Sequence, residues 1–560
     1  SVDWDLADAD AVERVAGLMT GAGIDVLCGG PPCQPFSKAG RSKIRHRVRS
    51  GERDPHDQRR DLWRSFIEVV RLAKPKAVIM ENVPDMALDR EMFIFRSIVQ
   101  ELEDEGYSVE SRIVETAKYG VPQFRQRLII VALADRKQFR WPDPVQERLS
   151  LWNAIGDLPE VEGGWRKRNS VPYAGPPVTA FQRRMRAGVP QPDQTRVYDH
   201  MTRAVREDDA RAFELMDSNT KYSDLPDELK RYRDDIFDDK YKRLDENDLS
   251  RTITAHIAKD GYWYIHPRQP RTLTVREAAR IQTFPDWYRF AGAPTAAFKQ
   301  IGNAVPPALG RHLAEAVIKS LADDTTKPAS SSDIAESLAT WFGSRAPLSM
   351  PWLRGATRWQ VMVAYTLLAR CTASQVRDAW PIVATWAEPS ETRDADDLLG
   401  SLGRVLGRPA QTQRVNALAS ELASREDTLL SDDEIVAVPG VPRVAAELAV
   451  LAVPPIDEVQ GEQPVLATQP ALRVAARFIG QPVDQRNSLT DGRIAIARMI
   501  GAGATARSAQ LAIVEIGGAL CHSSGPDCGS CPLSGRCRWA RRRRSRAEGA
   551  APDLLEAIEP

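Results

Sequence analysis

The chain has 560 residues, of which 42% are hydrophobic and 27% charged. That length exceeds one hydrophobic core, and that composition excludes a wholly disordered chain. Its 76 Lys and Arg balance 76 Asp and Glu, so net charge makes no case for a polyanionic partner. No apolar run is long enough to cross a bilayer and no secretory signal opens the sequence, which predicts a cytoplasmic protein without a membrane partner.

In chain order, three short apolar runs come first: Ile24–Cys28, Ala77–Met80 and Leu128–Leu133. Each is bounded by turn residues or charge, as buried strands of a parallel sheet are. Leu62–Leu72 between the first two carries apolar residues at helical spacing. Strand, helix, strand predicts a doubly wound α/β domain. From about 140 to 265 periodicity weakens among Asp, Arg, Tyr and Pro residues, and it returns in a helix predicted over Thr274–Gln282. Residues 322–334 are small and polar and predict a linker. Beyond them the chain is Ala/Leu/Val-rich with helical periods, an all-α half, and it ends in a basic tail over 541–560 that is predicted to be frayed.

Local charge says more than net charge. Arg41, Lys43, Arg45, Arg47, Arg49, Arg53, Arg59 and Arg60 form one basic stretch and Arg541–Arg544 another. Either can neutralise phosphates, and either can equally be a solvated surface. Of seven cysteines, Cys521, Cys528, Cys531 and Cys537 cluster, and four thiols so spaced suit zinc or an iron–sulfur cluster better than disulfides.

Catalytic groups in open α/β sheets sit just past the carboxyl ends of strands. The first run leads into Gly29-Gly30-Pro31-Pro32-Cys33-Gln34, and the second ends in Glu81-Asn82-Val83-Pro84. A thiol and a carboxyl are thereby brought to one edge of the sheet. These segments, with Gln123-Phe124-Arg125-Gln126-Arg127, Arg276–Pro285 and Gln300–Pro307, closely resemble, in order, the motifs of cytosine-C5 DNA methyltransferases. The resemblance covers about residues 1–320.

That resemblance implies a Rossmann-like class I methyltransferase fold, a catalytic region over 1–135, a target-recognition domain over 136–265 and C-terminal motifs over 266–321. Cys33 would add to C6 of a cytosine flipped out of duplex DNA, making C5 nucleophilic. Glu81 would hold the N3 edge and supply a proton, and Arg127, with Arg125 behind it, would position the base carbonyl or a phosphate. Pro32, Gln34 and Asn82 would bind substrate, and Ser37–Asp61 would be the mobile loop. Asn303 and Val305 would contact S-adenosylmethionine. The family's glycine-rich loop and acidic ribose-binding residue are not found upstream of residue 24, so the methyltransferase region is expected to be incomplete. A truncated sequence, favoured by a start at Ser1, a partner chain supplying the piece, and an inactive enzyme all account for this. A bacterial, nucleoid-associated protein with double-stranded DNA as partner follows.

The cysteine spacing, with Trp352 onward and Val438-Pro439-Gly440-Val441-Pro442, resembles the endonuclease III family of helix-hairpin-helix DNA glycosylases over roughly 335–540. It implies a 4Fe–4S cluster on Cys521, Cys528, Cys531 and Cys537, with zinc as the alternative. The family's catalytic lysine and aspartate fall at Val444 and Thr468, and Pro442 replaces a hairpin glycine. The domain is therefore expected to bind DNA without cleaving glycosidic bonds. The alternatives are an active T:G mismatch glycosylase, or a wholly non-catalytic DNA-binding protein.

Overall fold

The computed structural model describes residues 3–31, 62–87, 92–164, 170–230, 241–326, 330–344, 350–423, 440–454, 463–485 and 487–547. Pro32, Cys33, Gln34, the basic stretch within Ser37–Asp61, Val438-Pro439 and the last thirteen residues lie outside them. Two units divide the chain: Ser1–Arg112 with Ile130–Lys137 and Thr325–Pro560, and Ile113–Ile129 with Gln138–Asp324.

The first unit opens with α1 (Ala9–Gly21), whose N-cap Asp8 accepts a hydrogen bond from the Asp10 amide. Strand β1 (Val26–Gly29) follows, then α2 (Leu62–Ala73) and β2 (Ala77–Asn82). In α2 the residues Trp63, Phe66, Ile67 and Val70 recur every three or four positions and are buried, which is why this stretch is a helix laid on a sheet. Val12 and Met19 of α1 pack with Val69 of α2, and Leu27 of β1 joins them. Helix α3 (Phe93–Asp104) and strand β3 (Ser108–Glu115) come next, then β4 (Gln123–Phe124) and β5 (Gln126–Leu133). The sheet order is β1-β2-β5-β3, with β1 and β2 parallel and Val26 opposite Ala77. All three apolar runs are strands, and the α/β expectation holds. Strand β1 lies at the sheet edge, where Ile24 and Val26 are 45% and 36% exposed.

The second unit holds two further small sheets, β6 (Ser170–Pro172) with β7 (Arg196–Tyr198), and β4 with β8 (Ser250–Arg251). Its main core runs from Leu149 and Phe181 through Ile253 and Tyr264 to Phe298 and Ile301. Helix α4 (Val275–Ile281) is entirely buried. Thr274 and Glu277 cap it reciprocally, the Thr274 hydroxyl accepting from the Glu277 amide and the Glu277 carboxylate from the Thr274 amide. Arg271 donates twice to Glu277, at 2.7 and 2.9 Å, and Arg280 pairs with Asp157 and Asp286. The helix predicted over Thr274–Gln282 is thus present, and its charged residues are internal ion pairs. Helices α5 (Pro294–Asn303) and α6 (Pro307–Ala322) complete the unit.

Beyond Thr326 no strand occurs among the described residues. Helix α7 (Ser331–Ser344) is the first of a series that includes α8 (Arg443–Ala452), α9 (Gln469–Ile479), α10 (Arg493–Ile500), α11 (Ala506–Ala519) and α12 (Arg538–Ala547). Two expectations need correction. Part of the stretch read as linker is helical, because Ser330 and Asp333 cap α7 reciprocally and Thr326 bridges to Lys137. The run Arg541–Arg544 lies in α12 instead of a frayed tail, since arginine favours helix and Arg541 and Arg544 donate to the Gly535 and Ser534 carbonyls.

His266 Nε2 lies 3.6 Å from a Glu277 carboxylate oxygen. Burial, with Arg271, His200 and Arg243 adding to it, outweighs the pull of Glu277 and holds its pKa down at about 4 against an ordinary 6.5. The unfolded chain therefore takes up this proton first as pH falls. Stability is expected to drop by up to about 3 kcal/mol between pH 6.5 and 4 on this account, and to level below. Urea titrations at pH 7 and 4.5 should show His266→Gln losing most of that pH dependence; an unchanged dependence would refute the assignment.

Candidate active site and cysteine loop

In the first unit the site begins where β1 ends. An ideal Cβ on Gly29 would lie 2.4 Å from the Phe66 ring of α2, so only glycine lets the chain turn there. A Cβ on Gly30 would lie 3.3 Å from a Glu81 carboxylate oxygen. Asn82 Nδ2 donates to the Pro31 carbonyl at 3.1 Å, and its Oδ1 accepts from the Val83 amide at 2.9 Å. Glu81 and Asn82, at the end of β2, therefore hold the backbone that leads into Pro32 and Cys33. The two sequence-predicted strand ends do meet. What Cys33 and Gln34 touch falls outside the described residues.

In the second unit, three of the recognised motifs are tied together by side chains that donate to backbone. Arg125, at the break between β4 and β5, is buried. It donates to the Ile253 carbonyl at 2.6 Å, to Gly302 at 3.2 Å and to Ala304 at 2.9 Å. Gln123 donates to Gln282 Oε1 at 2.7 Å and to the Ile281 carbonyl, and Gln282 donates to Ile301 at 2.6 Å. A Cβ on Gly302 would overlap the Ala255 amide at 2.2 Å, so helix α5 and the Thr254–Ala255 backbone touch directly. Asn303 is exposed between Gly302 and Ala304, two of the three residues whose carbonyls Arg125 holds, and Val305 is half-buried.

Arg125, expected in the catalytic set, is buried and donates to these three backbone carbonyls. Arg127 is half-buried and donates to the Gln126 carbonyl at 2.7 Å. Gln123 and Gln282, two residues from Arg125 and Arg280 in the recognised motifs, are further residues that tie those motifs together.

In the helical part, Cys521, Cys528, Cys531 and Cys537 line one cavity, walled by Val474, Phe478, Ile516, Leu520 and Leu533. No three His, Cys, Asp or Glu side chains among the described residues close around a single ion. Burial, reinforced by the three neighbouring thiols and opposed by a hydrogen bond from Leu533, pushes Cys531 up to about 11. Arg477, which no sequence motif singles out, stands one turn after Arg473 on α9. It donates to Cys521 Sγ at 3.3 Å and to the His522 and Ser523 carbonyls, and stacks on Trp539. Arg473 donates to the Cys521 carbonyl at 2.6 Å. Thr468 is the N-cap of α9, accepting from the Ala471 amide, and Val444 is exposed near the start of α8.

Two adjacent parallel strands whose carboxyl ends meet, one of them ending in a carboxylate, form the kind of edge at which open α/β sheets place their sites. Residues 5–319 match the family described as C-5 cytosine-specific DNA methylase. The chain is 33% identical over 327 residues to the type II methyltransferase M.Bpa9945I of Bacillus paralicheniformis, covering 52% of this chain and 70% of that one. It is 30% identical over 335 residues to the type II methyltransferase M.XorII of Xanthomonas oryzae pv. oryzae, covering 57% and 73%. A solved thermostable thymine-DNA glycosylase aligns at 15% identity and a TM-score of 0.30, covering 38% of this chain and 97% of that one, too weakly to bear on the assignment. The chain belongs to the C-5 cytosine-specific DNA methylase family, a family of transferases. S-adenosylmethionine is the methyl donor expected for it, and DNA the expected substrate.

The two arginines are expected to separate in a single comparison. Arg125→Met leaves buried carbonyls without their donor, at roughly 1–3 kcal/mol each, and should lower stability in urea by several kcal/mol. Arg127→Ala should stay within about 0.5 kcal/mol of the parent. Equal losses would contradict the positioning role of Arg125.

Proposed function

We propose that this chain attacks cytosine in duplex DNA through Cys33, as a cytosine-C5 methyltransferase with its recognition segment in residues 136–265. The observation that carries the reading is the contact of Gly30 and Pro31, immediately ahead of Pro32 and Cys33, with Glu81 and Asn82. As the thiolate sulfur bonds to C6, the C5–C6 π pair shifts to C4–C5 and the C4–N3 π pair shifts onto N3. Glu81, protonated, supplies its proton to N3 and keeps the ring neutral. Arg127 orients the base carbonyl or an adjoining phosphate, and Pro32 and Gln34 line the flipped base.

The described residues do not fit a whole S-adenosylmethionine site. Among the described residues, Asn303 and Val305 are the ones that belong to its last motif. Thiol addition to the base is the step that Cys33, Glu81 and Arg127 would carry.

Random-sequence duplexes carrying pyrimidin-2-one in place of cytosine test that addition without a methyl donor. A denaturation-resistant adduct is expected from the parent chain, none from Cys33→Ala, and one formed roughly 10²–10⁴-fold more slowly by Glu81→Gln. No adduct from the parent, or an undiminished one from Cys33→Ala, would refute the reading.

For the helical half we propose a non-catalytic helix-hairpin-helix DNA-binding module carrying a 4Fe–4S cluster on Cys521, Cys528, Cys531 and Cys537. Four thiols around one apolar-walled cavity support a cluster, whose ligands spread wider than the ~2.3 Å sulfur shell of a single zinc ion. The group would supply structural cross-linking of the loop to α9 and α11. Thr468 as a helix cap and exposed Val444 support the absence of glycosylase chemistry. The purified chain is expected to absorb broadly near 400 nm and to contain iron and sulfide, both lost in Cys531→Ala, and to leave a T:G duplex intact to alkali. Zinc without iron would overturn the cluster; strand scission would overturn the non-catalytic reading.

A further inference from the structure

Helix α3 carries Arg96, Gln100 and Glu103 at i, i+4 and i+7, the spacing of one helical face. That face does not meet solvent. Arg96 is 1% exposed and donates to the Gly501 carbonyl at 3.0 Å and to the Gln463 carbonyl at 3.4 Å. Gly501 is the C-cap of α10. Glu103, also buried, accepts from the amide of Ser331, the first residue of α7, at 2.6 Å. Gln100 donates to the Ser332 hydroxyl between them. In return Arg498 of α10 reaches back to β3, pairing with Glu110 at 3.0 Å and donating to the Val109 carbonyl.

The signs of these contacts are all favourable. A helix carries partial positive charge at its N-terminus and partial negative charge at its C-terminus. Here a carboxylate meets the start of α7 and a guanidinium the end of α10, and both come from one helix on the other side of the linker. Steric fit agrees with the charge: Gly501 has φ +62°, and a Cβ there would lie 3.0 Å from Gln100 Oε1. Domains joined only by a tether meet through polar, hydrated surfaces. A guanidinium is taken this far out of water only where fixed acceptors replace the solvent.

We propose that the helical half is one folding body with the α/β layer, with α3 capping two of its helices and Arg96 and Arg498 as the buried keys. The half that carries the cysteine loop then cannot swing free of the layer that carries Glu81, and the Ser331 amide at the start of its first helix is satisfied by the layer itself.

Replacing residues 327–329 of the full chain by a protease site tests this. After cleavage the two pieces are expected to co-elute on size exclusion at micromolar concentration. Arg96→Met combined with Glu103→Gln should weaken their association roughly tenfold or more. Arg136→Ala, which removes an exposed rim contact to Asp333 at 4.0 Å, should not. Should the double variant fail to fold, Glu110→Gln, isosteric and half-buried, should still speed dissociation of the cleaved pieces. Separation of the parent pieces after cleavage, or undisturbed co-elution of Glu110→Gln and the double variant alike, would overturn the proposal.

Discussion

The guanidinium of Arg125 is the constraint on which the second unit's site turns. Moving such a charge out of water costs several kcal/mol, and that cost is offset only by acceptors fixed in place around it. Its acceptors are the Ile253, Gly302 and Ala304 carbonyls, from segments more than a hundred residues further along the chain. A carbonyl that drifted would leave both itself and the charge unsatisfied. The exposed Asn303 therefore stands on a backbone that cannot move without breaking the most expensive contact nearby. Gln123 and Gln282 extend the same arrangement to the end of α4, so a surface loop inherits the rigidity of a core.

The α/β layer solves a related problem with the opposite geometry. Its site is made by close approach of backbone: Gly29 against Phe66, Gly30 against Glu81, and the Pro31 carbonyl on Asn82. A side chain at Gly29 would run into the Phe66 ring, and one at Gly30 would crowd Glu81. The polar side chain of Asn82 is buried at the strand end because it has both a donor and an acceptor to satisfy there, which an aspartate or leucine could not do. Positioning in one unit rests on a buried cation, and in the other on missing side chains.

This contrast explains what was legible in the sequence. The runs at β1, β2 and β5 declared themselves because apolar residues dominate each of them, and most of those in β2 and β5 are buried, although the edge strand β1 is partly exposed. Strand β3, Ser108–Glu115, did not: it alternates charge with apolar residues, and Glu110 is retained because Arg498 arrives from nearly four hundred residues away. Motif order located Glu81 and Asn82 at the right strand end. The inward turn of Arg125 was illegible, because it sits at the break between β4 and β5, where strand alternation gives no rule for its direction. Likewise a polar stretch such as Ser330–Asp333 has one composition whether it is a free linker or a helix cap.

The same ambiguity limits any argument for nucleic-acid binding from basic residues in 135–250. Phosphate neutralisation scales with the cations that can reach the backbone, not with those in the sequence. Arg186 is held by Asp157, Arg203 by the Ile257 and Ala258 carbonyls, and Arg243 by Phe213, His266 and Pro267. These three tie the backbone of the second unit together. The exposed arginines are of a different kind: Arg148, Arg183, Arg184, Arg196 and Arg211 lie on the surface, where their side chains can exchange a local partner for a phosphate at little cost. A contact made by that second group adds to the salt dependence of binding. Loss of one of the first group would instead loosen the frame that presents the others, so the two sets differ in kind although composition counts them alike.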